Sequence, residues 1–394
     1  MNPSSSGWID KFGSLVKNKP DLYPSFDALY SDLKTCGFIY GINISAPKFI
    51  AAEHNLTEDE NAKINLLTAL YFTYVFESEK ADFKEFLDAI FKFYQLLEVS
   101  QISFLNKILT GKKTSSQLER LIDSRVYLED NVISKTFNSI ITNSLLFIDT
   151  MTFKRYLQGG IDVKKHAQDL EHITINLTYH TLNSKEKNKN DERLAQLFAS
   201  SLTFIDSQKD NFDSLYRDLL NNQFSTQENQ YFLDVSCLTV WEDFSLEYKE
   251  SIFIYGIGKD LGFDHGNIAK SLEDVTTFFQ LNSHKVPHLK DHNLAVQFYE
   301  SMSKIVNKLI LRNSKRLLKE LSESKELVAL LSKSTMRDLS PEEKKKVQDQ
   351  LLDICKSIPS LAIFILPGGA VLLPIFIKLI PKLLPSAFDE NRVD

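Results

Sequence analysis

The stretch Thr57–Leu97, TEDENAKINLLTALYFTYVFESEKADFKEFLDAIFKFYQLL, decides the fold class. Thr57 and Glu60 have capping-box spacing, in which threonine oxygen and glutamate carboxylate reciprocally satisfy orphan N–H groups at a helix start. Ile64, Leu67, Leu70, Tyr71 and Tyr74 follow in the helix behind it. Phe83, Phe86, Leu87, Ile90, Tyr94 and Leu97 then recur at steps of three and four, the period of an amphipathic helix with an aromatic stripe. Such a stripe reads as core rather than as a cofactor box. Gly and Pro are scarce outside the C-terminus, which argues against a turn-rich all-β fold. The expected fold is mostly α: a multi-helical bundle region followed by a proline-rich apolar C-terminal membrane-type helix or helical hairpin.

Towards the N-terminus, residues 1–25 read as a loose lead-in. Ser25 then caps a short helix with Phe26, Leu29, Tyr30 and Leu33 on one face, ended by Gly37. In the other direction come shorter helical pieces (Leu118, Leu121, Ile122; Phe137, Ile140, Ile141, Leu145), the pair Gly159-Gly160, and a helix over 161–182. The run 183–193, NSKEKNKNDER, has no apolar residue. It reads as an exposed linker between an N-terminal helical region, 1–182, and a second one, 194–335. Phe212–Leu219 echoes Phe26–Leu33 as F-D-x-L-Y-x-D-L, either a trace of duplication or chance on two amphipathic helices. Leu309, Leu317, Leu321 and Val328 mark further helix beyond 295.

The last unit, 340–394, opens on Ser340-Pro341-Glu342-Glu343, a strong helix start with a capping serine, a first-position proline and a glutamate at the box position. Val347, Leu351, Ile354, Cys355 and Ile358 lead into the apolar tail. From Ile358 to Ile377 there are 20 residues without Asp, Glu, Lys or Arg, about the length a helix needs to cross a bilayer. Pro359, Pro367, Pro374, Pro381 and Pro385, with Gly368-Gly369, suit a membrane helix or the bend of a re-entrant pair better than a straight water-soluble helix. A single span would let Lys378 snorkel at its end. Lysines flank both sides, so they do not select an orientation.

The 394-residue chain carries a net charge of −6. From Lys304 onward, however, 16 Lys and Arg face 11 Asp and Glu, so the part beside the apolar tail is basic. Lys304, Lys308, Arg312, Lys315, Arg316 and Lys319 form a stripe with no acid between them, on an expected basic helix, 304–319. It is either a solvated surface or a face attracted to anionic lipid headgroups. No nucleic-acid motif accompanies it. Three scattered cysteines, Cys36, Cys237 and Cys355, make no disulfide framework and fit a reducing, cytoplasm-facing setting. The N-terminus has no secretory signal pattern.

No catalytic constellation survives inspection. Thr110-Gly111-Lys112-Lys113-Thr114 lacks the earlier glycine of a phosphate loop, and Gly256-Ile257-Gly258-Lys259 lacks a third glycine and a preceding strand, so helix packing explains it as well. His284, His288 and His292 have zinc-ligand spacing, but Pro287 interrupts the helix they need. Asp206–Arg217 fails as a calcium loop at Asn211 and Arg217. The expectation is a non-enzyme with no catalytic, cofactor-binding or metal site. The weaker alternative is a metal-binding or enzymatic module on Asp243, Glu247 or the histidines.

Two resemblances add to this reading. Residues 232–281, with an apolar helix, the acidic turn Glu242-Asp243, a helix opened by Ser245 and a break near Leu261-Gly262, are similar to TerB-like helical modules, in which acidic turn residues can bind metal. The tail resembles the Letm family of inner-membrane proteins at Ile358-Pro359, Pro367, Leu372, Leu373, Pro374, Lys378, Pro381, Leu384, Pro385, Ser386 and Phe388. The resemblance implies a transmembrane region at the inner (cytoplasmic) membrane, with the bulk facing the cytoplasm, and a role in membrane organisation or cation/proton homeostasis. The region before it looks closest to bacterial Letm-related, biofilm-associated proteins. In that family ribosome association comes from a domain after the segment; the chain ends six residues past Phe388, so that domain is expected to be absent and ribosome binding is not expected. The expected partners are membrane lipid and a protein partner or a second copy. The competing reading is a soluble helical scaffold whose apolar tail packs in its own core or in a partner.

Overall fold

The structure is a computed structural model. It describes residues 1–17, 19, 21–52, 54–78, 81–97, 103–111, 113–126, 146–184, 195–197, 199, 220, 224–240, 248–282, 303, 306–307, 309–337, 339–358, 361 and 373–384. Among these residues every extended regular element is a helix. They are α1 (Trp8–Val16), α2 (Phe26–Thr35), α3 (Glu58–Ser78), α4 (Phe83–Leu96), α5 (Ser103–Thr110), α6 (Ser115–Val126), α7 (Phe147–Gln158) and α8 (Val163–Ser184). They continue with α9 (Thr226–Val240), α10 (Tyr248–Asp260), α11 (His265–Asn282), α12 (Ser314–Glu323), α13 (Lys325–Met336), α14 (Pro341–Ser357) and α15 (Leu373–Leu383).

The mostly α expectation is borne out, and several local signals act as read. Ser25 accepts the Ala28 N–H at the start of α2. Gly37 then takes φ +85° and ends that helix, a left-handed conformation that glycine adopts without a Cβ clash. Before α3, the Thr57 N–H donates to Glu60 Oε2 at 2.8 Å, while the Glu60 N–H donates to Thr57 Oγ1 at 3.2 Å. Phe86, Leu87, Ile90, Tyr94 and Leu97 are all buried. The aromatic stripe is core. Tyr71 meets Phe12 and Phe86 edge-on, with ring centroids 5.8 and 5.4 Å apart, the geometry that aligns ring edges with π faces.

Central α3 packs against α2, α4, α6 and α7, and α7 in turn packs against α8. Helix α8 ends at the beginning of the polar run 183–193, and it packs against α9 and α10 from beyond that run. Helices α9, α10 and α11 form a mutually packed group, with the break near Leu261-Gly262 between α10 and α11; the acidic turn Glu242-Asp243 and Ser245 lie outside the described residues. At the other end of the chain α13 is the hub, packing against α12, α14 and α15.

Buried polar groups pin segments far apart in sequence. Arg125 on α6 makes a two-pronged ion pair with Asp149 on α7 at 2.6 and 2.7 Å, and the Tyr94 hydroxyl donates to the same carboxylate at 2.8 Å. Tyr30 donates to Asp234 at 2.7 Å, and Lys34 bridges Asp234 at 3.4 Å and Asp274 at 2.6 Å. That second network ties α2 to α9 and α11. His166 on α8 meets Glu228 on α9 at 2.7 Å.

The expected membrane element is described only in part. Of the span expected over Ile358–Ile377, residues 359–360 and 362–372 lie outside the described residues, and the described helix α15, Leu373–Leu383, has 11 residues. That is about 16 Å at ~1.5 Å per residue, roughly half of a ~30 Å hydrocarbon core. Among the described residues no helix is long and apolar enough to cross a membrane. The apolar face of α15 has a protein partner: Ile375, Phe376, Ile377 and Ile380 are buried, and α15 packs on α13. Burial of each such side chain contributes about 1.5–3 kcal/mol. Packing on α13 takes that gain for the described part of the tail. Pro367, Gly368 and Gly369, at which a hairpin would bend, lie outside the described residues.

Candidate functional site

The C-terminal module of α12–α15 is the part where sequence signals converge, and its local logic begins at Ser340. Its hydroxyl oxygen accepts the Glu343 N–H at 3.2 Å, while Glu343 Oε2 accepts the Ser340 N–H at 3.0 Å, the capping box expected from SPEE. Glu343 also takes a fork from Arg337 at 2.7 and 2.8 Å. That guanidinium, helped by the Ser340 N–H, pushes the Glu343 carboxyl down to about 2. The same few residues therefore cap α14 and close the turn from α13. Further along the hairpin Ser324 Oγ donates to Gln350 at 2.7 Å, and Lys346 pairs with Glu326 at 2.8 Å. Val347, Leu351, Ile354 and Cys355 of α14 are buried, and burial pushes the Cys355 thiol up.

Of the tail residues singled out by sequence, Ile358 is buried at the end of α14, and Leu373, Pro374 and Leu384 are buried around α15. Pro381 lies inside α15 and is half-buried, while Lys378 is exposed. Lys382, four residues on, is exposed beside it. Pro359, Pro367, Gly368, Gly369, Leu372, Pro385, Ser386 and Phe388 lie outside the described residues. So the described tail is amphipathic, with its apolar face on α13 and its lysines outward.

The basic face is reproduced where it is described. Arg312, Lys315, Arg316 and Lys319 are all exposed, while Leu317 and Leu321 of the same helical stretch are fully buried. At about 100° per residue, Lys315, Arg316 and Lys319 fall within one arc opposite those leucines. Asn313 bends the path, yet its N–H reaches the Leu309 carbonyl at 3.2 Å and its own carbonyl accepts from Leu317 at 2.9 Å. Helical bonding therefore passes through the bend. Lys304 and Lys308 lie outside the described residues. Sequence reading passed over Leu311, which is 53 % exposed one turn before Lys315. The available signal was its position among the cations, on the side away from Leu317.

A family model described as LETM1-like, RBD matches residues 339–394. The chain carries a Letm-like segment. Its start coincides with the capping box of α14, so the Letm segment comprises α14, α15 and the chain beyond. The match also corrects one expectation. The sequence reading placed the family's ribosome-binding domain after the chain's end, whereas the matching model bears that domain's name and lies on the residues read as a membrane segment. No curated protein and no solved structure matches the chain. The TerB-like and biofilm-associated likenesses gain nothing from these comparisons.

Among the described residues no three His, Cys, Asp or Glu side chains gather into a metal cluster. His284, His288, His292, Asp243, Glu247 and the segment Asp206–Arg217 lie outside the described residues. Gly258 has the packing role read for it: a Cβ there would run into the side chain of Ile268 on α11.

Proposed function

We propose that this protein is a non-catalytic, Letm-related helical protein that works at a membrane, in membrane organisation or cation/proton homeostasis, with its C-terminal module as the docking part. The observation that carries the reading is the LETM1-like match over residues 339–394. With no spanning helix among the described residues, attachment by the module's surface fits better than a span by α15. The test is fractionation of cells making the full chain. The protein is expected with membranes at neutral pH, to be released by alkaline carbonate, and to become soluble when residues 340–394 are deleted. Recovery of the intact chain in the soluble fraction at neutral pH and low salt would sink the reading.

A second reading has its own observation. The apolar face of α15 is buried on α13, as in a soluble interaction protein, and the RBD description of the matching family points to a ribosomal or other protein partner. Co-sedimentation of the chain with ribosomes, lost on deletion of 340–394, is the result that would favour it.

A further inference from the structure

We propose that the exposed face of the helical stretch 309–323 is a docking surface for an anionic lipid bilayer, lying flat with Leu311 dipping into the interface. The proposal rests on the membrane reading above and deepens it by naming the surface and the chemistry it recognises. Arg312, Lys315, Arg316 and Lys319 stand out into solvent, spaced over about 10 Å of helix at ~1.5 Å per residue. Three other cations of this module are spent on neighbours, Lys346 on Glu326, Arg337 on Glu343 and Lys356 on Asp353, while Lys325, Lys345, Lys378 and Lys382 are exposed singly or in pairs on other helices. Lys315, Arg316 and Lys319 have no carboxylate partner among the described residues. Glu320, half-buried, and exposed Glu323 follow only after the last of these cations.

The row Lys315, Arg316 and Lys319, with no carboxylate partner among the described residues, selects an anionic partner, and Leu311 separates the possible ones. It is an apolar side chain more than half exposed beside the charges. A bilayer rewards that arrangement, with headgroups for the cations and acyl carbon for the leucine. A nucleic acid would reward an aromatic residue for stacking, and 309–323, LILRNSKRLLKELSE, contains none. The opposite side is anchored by Leu317 and Leu321, both fully buried, so the face is presented on a fixed support and needs no unfolding to bind.

The experiment uses the full-length protein with vesicles of phosphatidylcholine alone and of phosphatidylcholine with about one-third phosphatidylserine, at low salt. Binding is expected only to the anionic vesicles and should weaken as salt rises. K315Q/R316Q/K319Q should lower the affinity about a hundredfold, at about 1 kcal/mol per basic residue near such a surface. K84Q/K92Q/K107Q removes the same charge from exposed lysines of α4 and α5 and should leave binding unchanged. L311S should weaken binding at every salt concentration, separating the apolar contribution from the screened one. Circular dichroism should match wild type in all variants, since the changed side chains are exposed. Equal binding to both vesicle types, or equal losses in the two triple variants, would overturn the proposal. So would vesicle binding that survives K315Q/R316Q/K319Q while ribosome co-sedimentation is lost. The two readings fail separately: a chain that fractionates with cell membranes although K315Q/R316Q/K319Q binds vesicles normally sinks only this surface, whereas vesicle binding through this face by a chain soluble in cells sinks only the cellular role.

Discussion

Asp149 is fully buried among protein groups, and its charge is tolerated because Arg125 forks onto it and Tyr94 donates a third hydrogen bond. Burial alone would lower the Arg125 pKa, but the facing carboxylate outweighs it and raises the value, so the guanidinium keeps its charge. Removing one member strands the other charge in the core, a change worth about 3–5 kcal/mol. Asp149→Ala is therefore expected to lower unfolding free energy by that order in urea titrations, while Arg125→Met with Asp149→Leu should cost much less. Glu228 makes a different test, through pH. Burial pushes its carboxyl up, but hydrogen bonds from His166 and Ser225 outweigh this and hold it below its ordinary 4.5. A lowered folded value means that this stabilisation is whole above the ordinary value and is lost as pH falls through the folded one. Glu228→Gln should flatten the acid limb of a stability–pH curve below about pH 4.5 while costing some stability at neutral pH. A wild-type-like acid limb in that variant would remove Glu228 from the account.

Helices differ in how openly the sequence declares them, and the reason is the range of the interaction that fixes each one. The caps at Ser25, Thr57 and Ser340 were legible because their partners lie three residues away. The stripe Phe83–Leu97 was legible because burial of one face writes a 3.6-residue period into the chain. By contrast, the tail's apolar run reads the same whether its partner is lipid or α13, since both reward loss of contact with water. In its described part, Leu373–Leu383, the apolar face lies on α13. The ion pair between Arg125 and Asp149 and the bridge from Lys34 to Asp234 and Asp274 left no local signal, because each joins helices distant in sequence. Two substitutions test the element scale. Ser340→Ala removes the α14 cap and should destabilise the C-terminal module by about 1 kcal/mol, read by thermal melting. Gly258→Ala should be disruptive despite alanine's better helix propensity, because its Cβ meets Ile268 and α10 must move away from α11. A neutral or stabilising result there would show that propensity, not close approach, governs the position.

Across the whole molecule, charge and packing divide the chain in a similar way. The acidic excess lies before Lys304 and the basic excess after it. The main helix pairings link α1 through α11 to one another, and α12 to α15 around α13. A group of helices with its own interior is expected to unfold as a unit, so denaturant titration of the full chain should resolve two transitions. Phe376 is fully buried on α15 and Leu233 is fully buried on α9. Phe376→Ala, costing about 3–5 kcal/mol, should shift one transition, and Leu233→Ala, about 2–5 kcal/mol, should shift the other. Vesicle binding would then follow the Phe376 transition, because the support of the basic face, Leu317 and Leu321, belongs to the unit that α13 holds together. A single transition moved equally by both substitutions would mean that the two groups fold as one, and the basic face could not be lost without the remainder of the chain.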